Sequence, residues 1–135
     1  MVMEVIILNI DRLCPGCMND NGGETVCPTC GYDMSSKNDN ACLPVKFLLS
    51  QRYIIGKAIC INTEGITYIA WDNSSATAVH VKEYFPKGLS MRNPDKTVSV
   101  IAGKEFYFNE GLMDFIEINK KLIATKCMFQ ISNNL

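Results

Sequence analysis

The sequence predicts an α+β protein in which a small cysteine-bound module precedes an antiparallel sheet carrying one main helix. Three observations predict it. Four cysteines form two Cys-x-x-Cys pairs within residues 14–30, three runs rich in Ile, Val, Thr and aromatics follow, and apolar residues then recur at helical spacing. The balance of 47% hydrophobic and 20% charged residues in 135 supports a packed core. Thirteen Lys plus Arg against fourteen Asp plus Glu leave a net charge of −1, so no global field draws nucleic acid or an anionic membrane.

The opening Met1 to Ile10 is apolar apart from Glu4 and Asn9. It lacks the basic start and small-residue cleavage site of a signal peptide and is too short to span a bilayer, so it reads as a strand. Seven cysteines without an export signal point to a reducing cytoplasm, where paired cysteines bind metal more often than they form disulfides.

Residues 11–33 are dense in Cys, Gly, Asn and Asp and nearly empty of large apolar side chains, so a metal must staple them. Cys14-Pro-Gly-Cys17 and Cys27-Pro-Thr-Cys30-Gly31 are two knuckles nine residues apart. Each knuckle aims two sulfurs at one point, and together they make a closed tetrathiolate for Zn²⁺ with a structural role. Gly31 is expected at positive φ, freeing backbone N–H groups to bond the thiolates. The charged residues near the knuckles, Asp11, Arg12, Asp20, Glu24, Asp33 and Lys37, lean acidic, which argues against nucleic-acid contact. Cys42, Cys60 and Cys127 stand alone and read as buried small hydrophobes.

Residues 34–41 have the composition of a linker, which divides the chain into a ribbon with its leading strand (1–33), a linker (34–45) and a second domain (46–135). In that domain the strands are Tyr53 to Ile61, Ile66 to Trp71 and Ala76 to Phe85, joined by Asn62-Thr63-Glu64-Gly65 and Asp72-Asn73-Ser74-Ser75 as hairpin turns. Pro86 to Asp95 reads as a loop and Thr97 to Ile101 as a further short strand. Leu112, Phe115, Ile116, Leu122 and Ile123 mark one amphipathic helix, with Asp114, Glu117, Lys120 and Lys121 off its apolar face. Lys126 to Ile131 reads as a replacement edge strand. His80, the only histidine, reads as a packed strand residue, and Trp71 and Phe85 as core.

Arg52, Tyr53, Gly56 and Lys57, then Gly65-Ile-Thr-Tyr68 with Trp71-Asp72, then Lys82-Glu-Tyr-Phe-Pro86 form an ordered series. In it the chain resembles the N-terminal lobe of a bacterial serine/threonine protein kinase, of the group whose kinase domain follows a double Cys-x-x-Cys ribbon. The resemblance covers residues 12 to about 124 and makes the fold a kinase N-lobe-like sheet with one helix in the C-helix position. It implies a phosphate site at Gly65 and Lys82, with Lys82 paired to a helix glutamate.

Set against that implication, the Gly-rich loop reads Cys60-Ile-Asn62-Thr-Glu64-Gly65, with its last glycine alone retained, and Glu64 repels phosphate. His80 stands where the family has a small residue against adenine. The helix glutamate aligns with Ile118, and Glu117 is one residue early. The catalytic loop and the Mg²⁺-binding Asp-Phe-Gly have no counterpart before Leu135. The expectation is therefore a degenerate, pseudokinase-like protein that is not an enzyme, binds ATP weakly, and acts as an interaction or regulatory module. Its exposed cleft face implies a protein partner or a homodimer. The alternative is the nucleotide-binding half of a split kinase.

Overall fold

A computed structural model of the protein describes residues 12–122 and 127–130. The expected leading strand, Met1 to Ile10, and Ile123 lie outside the described residues. The described residues form two compact units, one of those up to Lys57 with Ile69–Val79, the other of Ala58–Tyr68 with those from His80 on.

The strands are β1 (Leu48–Leu49), β2 (Tyr53–Ile61), β3 (Gly65–Asp72), β4 (Thr77–Tyr84), β5 (Ser90–Arg92), β6 (Val98–Val100) and β7 (Cys127–Gln130), and the helix α1 is Glu105–Leu122. The α+β class is as the sequence predicts, and β2 has the predicted bounds. One sheet has the order β1-β2-β3-β4-β7, and β5 with β6 forms a two-stranded ribbon. Two departures follow from long-range pairing that local composition does not encode. β7 pairs with β4 in parallel, His80 opposite Cys127, so the sheet is not wholly antiparallel. The stretch read as a loop from Pro86 contains β5, which pairs Ser90 with Val100 and Arg92 with Val98.

In the first unit, Leu13 and Met18 of the cysteine module share a core with Ile54, against which Ile69 and Trp71 pack. Gly56 permits this approach. A Cβ there would lie 2.5 Å from the Pro15 carbonyl oxygen, 2.9 Å from the Ile69 carbonyl oxygen and against Met18 Cε. The neighbouring Lys57 N–H donates to that same Pro15 oxygen at 2.8 Å. Two of these obstacles are backbone, so Gly56→Ala must push the module off β2; a loss of about 3 kcal/mol, the scale of a severe overpacking, is expected in urea denaturation.

Asp72 ends β3 buried and fully bonded. Arg52 donates to it through Nε (2.8 Å) and Nη2 (3.0 Å), Ser74 N–H to Oδ1 and Ser75 Oγ to Oδ2, each at 2.9 Å. These donors, Arg52 foremost, hold its carboxyl down at about 2. A carboxylate depressed on folding stabilises above its unfolded value, near 4, and that stability is lost as pH falls towards 2. Asp72→Asn should therefore cost about 2 kcal/mol at neutral pH and flatten the stability profile between about pH 4 and 2 in acid titrations followed by circular dichroism.

In the second unit, α1 buries Phe108, Leu112 and Phe115 against Tyr84, with Leu89, Val100 and Ile116 packed around them. The Tyr84 ring meets Phe108 edge-on at 5.0 Å, and its hydroxyl donates to the Phe108 carbonyl at 2.7 Å. Beyond the predicted face, the helix begins earlier, at Glu105, and adds Phe108 and Asn119 to its buried side. Among the described residues no helix is long and apolar enough to cross a membrane.

Candidate functional site

The two knuckles fold as near copies. Cys14 N–H donates to Asn19 O and Met18 N–H to Cys14 O; thirteen residues later Cys27 N–H donates to Tyr32 O and Gly31 N–H to Cys27 O. Met18 and Gly31 occupy matching positions at φ 62° and 80°. The positive φ expected of Gly31 is present. At Met18 the same backbone costs about 1–2 kcal/mol, accepted because its side chain is needed in the core with Ile54.

The knuckles bring Cys14, Cys17, Cys27 and Cys30 together, with all four sulfurs within 4.8 Å of one another. The Cys14–Cys30 and Cys17–Cys27 sulfur separations are 3.6 and 3.8 Å. Metal–sulfur bonds of about 2.3 Å place tetrahedral ligands about 3.8 Å apart, so the donor set fits a metal ion. Gly16 N–H points at Cys14 Sγ at 3.3 Å, the type of support that orients a thiolate ligand. Burial pushes the Cys14 thiol up to about 12, whereas the Cys30 amide holds Cys27 down at about 6. Four such groups ionise together only around a cation.

The residues matched to a phosphate site are arranged differently. Asn62 Oδ1 accepts the N–H groups of Glu64 (2.9 Å) and Gly65 (3.0 Å), and Asn62 N–H donates to Gly65 O at 3.0 Å. The carbonyls of Thr63 and Glu64 accept from Lys87 (2.9 Å) and Phe85 (3.1 Å). The turn is thus closed on itself and fastened to the segment after β4. Gly65 is needed for that closeness, since a Cβ would overlap the Glu83 carbonyl oxygen.

Lys82 is half-buried, on the same side of β4 as Tyr84 by alternation, with no ion pair among the described residues. On α1 the expected partner positions fail for a geometric reason: Ile118 and Glu117 are exposed, and Glu117 lies 3.8 Å from Lys120. The buried position at that level is Asn119, whose Nδ2 donates to Phe115 O.

Three further expectations are corrected. His80 is exposed rather than packed. Cys60 is exposed because the far end of β2 carries it outward, whereas Cys42 is buried as expected and the Cys127 side chain lies outside what is described. Phe85 is half-buried with the Arg92 guanidinium 4.8 Å above its ring.

The role that sequence reasoning missed is that of Glu83. Its carboxylate accepts from Arg92 Nη1 (2.8 Å) and Nη2 (2.7 Å) and from the Tyr68 hydroxyl (2.9 Å), with both charged side chains more than nine-tenths buried. A carboxylate two residues after the inward Val81, at the next inward position of the Val79, Val81, Glu83 alternation in β4, was the available signal.

No family model matches the chain, and no curated protein matches it in sequence. Among solved structures it is similar to the apo form of PpkA-294, a bacterial serine/threonine kinase, at 30% identity and a TM-score of 0.53. The match covers 59% of this chain and spans 28% of that one.

Proposed function

We propose that the chain is a non-catalytic interaction or regulatory module in which a structural Zn²⁺ ribbon is built onto a kinase-like sheet that no longer serves a nucleotide. The observation that carries this reading is the turn at Asn62–Gly65. A phosphate-binding loop works by presenting unpaired backbone N–H groups, and here the Asn62 carboxamide already takes those of Glu64 and Gly65. Lys82, without an acidic partner among the described residues, and Glu64 at the turn add to it.

Four thiolates favour Zn²⁺ and close its coordination sphere, which leaves no position for an activated water and makes the metal structural. The cysteine usage suits a reducing cytoplasm. Phe106, Tyr107, Met113 and Ile118 are each more than half exposed on α1, an apolar surface of the kind that meets a protein partner or a second copy.

The test is thermal denaturation of the zinc-loaded protein with and without millimolar Mg-ATP. No shift is expected. A ligand at 100 times its Kd adds about 2.7 kcal/mol, so a shift of several degrees that Lys82→Ala abolishes would establish the split-kinase alternative instead.

A further inference from the structure

Beside the Asn62–Gly65 turn, the second unit has an open cavity of about 220 Å³. That is below the roughly 300–1,000 Å³ of small-molecule sites and suits one long side chain. Its walls are apolar, from Pro86, Leu89, Phe115 and Ile118, and neither Lys82 nor Gly65 lines it. Two carboxylates, Glu64 from the turn and Asp114 from α1, also line it, exposed and without ion-pair partners among the described residues, and Lys87 is the one cation among the described residues that line it.

At its inner end the Tyr84 hydroxyl is committed to Phe108 O. Burial, then the charges of Glu64 and Asp114, push that phenol up to about 12; with two carboxylates against one lysine, the charge lining the cavity is net negative. An anion is disfavoured there, and an isolated apolar side chain would strip water from two carboxylates without replacing their hydrogen bonds.

We propose that this cavity receives an arginine side chain from a basic segment of a partner protein. The aliphatic stem lies against Pro86 and Leu89, the flat guanidinium reaches the Phe115 face, and its fork of donors meets Glu64 and Asp114. Charge complementarity selects this occupant, and the assignment rests on the interaction-module reading by naming the partner's chemistry.

The experiment is an amide chemical-shift titration of the zinc-loaded, ¹⁵N-labelled protein with acetyl-Ala-Leu-Arg-Leu-Ala-amide, with citrulline replacing arginine as the neutral control. Saturable shifts centred on Leu89, Gly111 and Phe115 are expected, at least tenfold weaker with citrulline and in Glu64→Gln/Asp114→Asn, and weakened by salt. Both substitutions are on exposed side chains and leave the fold intact. Equal binding of the citrulline peptide, or undiminished binding by the double variant, overturns the proposal. So does the same set of shifts arising on concentrating the protein alone, which would assign the cavity to a second copy. An absent peptide response with no Mg-ATP shift removes the cavity assignment alone; an Mg-ATP shift removes the module reading itself.

Discussion

Removing the metal should unfold the ribbon and carry much of the first unit with it. Among the described residues the ribbon contributes only Leu13 and Met18 to the shared core, too little apolar burial to offset the entropy of ordering some twenty residues. Structural zinc sites supply about 10–16 kcal/mol of apparent binding free energy, which under the proposed Zn²⁺ assignment is folding free energy for the knuckles. Without the metal, four thiols converge within 4.8 Å, and ionising them together is opposed by the burial of Cys14 and by mutual repulsion. Trp71 is the only tryptophan and packs against the Leu13, Met18 and Ile54 cluster, so it reports the event directly. A chelator, or Cys14→Ser, should redden Trp71 emission and lower Tm by more than 10 °C, at about 4–8 °C per kcal/mol for a small unit. Metal analysis showing zinc gone while emission and Tm stay put would refute the structural assignment.

The ribbon and the sheet were legible because their signals are local. Two knuckles at fixed spacing need no partner elsewhere in the chain, and a nine-residue strand such as β2 shows its β-branched composition within one window. β1, two residues long, and β5, three, have too few positions for any periodicity, and they exist only because Ile54 and Val98 pair with them. The helix was recognised from its C-terminal half because Phe106 and Tyr107, both exposed, blur the apolar stripe in its first turn.

The ordered series Arg52, Gly56, Gly65, Tyr68, Asp72 and Glu83 was legible as a resemblance, yet its physical content is architectural. Arg52 binds Asp72, Gly56 admits Pro15 and Met18, Gly65 admits the Glu83 backbone, and Tyr68 binds Glu83. What a series of matched residues preserves is in this case the sheet and its attachments. The phosphate chemistry that the resemblance implies for Gly65 would need free amides, and Asn62 accepts the N–H groups of Glu64 and Gly65.

Glu83→Ala should be among the most damaging single substitutions in the second unit. It leaves the Arg92 guanidinium, whose side chain is only 6% exposed, without its two charge-assisted bonds and the Tyr68 hydroxyl without an acceptor for this contact. Arg92 keeps its bond to Lys96 O and its place over Phe85, so it stays held where water reaches it poorly. Breaking one partner of a buried pair costs about 3–5 kcal/mol, because the survivor loses the opposite charge that its burial was matched to. Replacing both partners removes that penalty, so Glu83→Met with Arg92→Met should be less damaging than the sum of the single changes by 2 kcal/mol or more. Tyr68→Phe, which removes one hydrogen bond from a carboxylate still paired with Arg92, should cost about 1–2 kcal/mol. A double-mutant cycle in urea measures all three. Additive single effects below about 1 kcal/mol each would mean that water or a rearranged Arg92 satisfies these groups, and that the β5–β6 ribbon is held by its own pairing and by Val98 and Val100 instead.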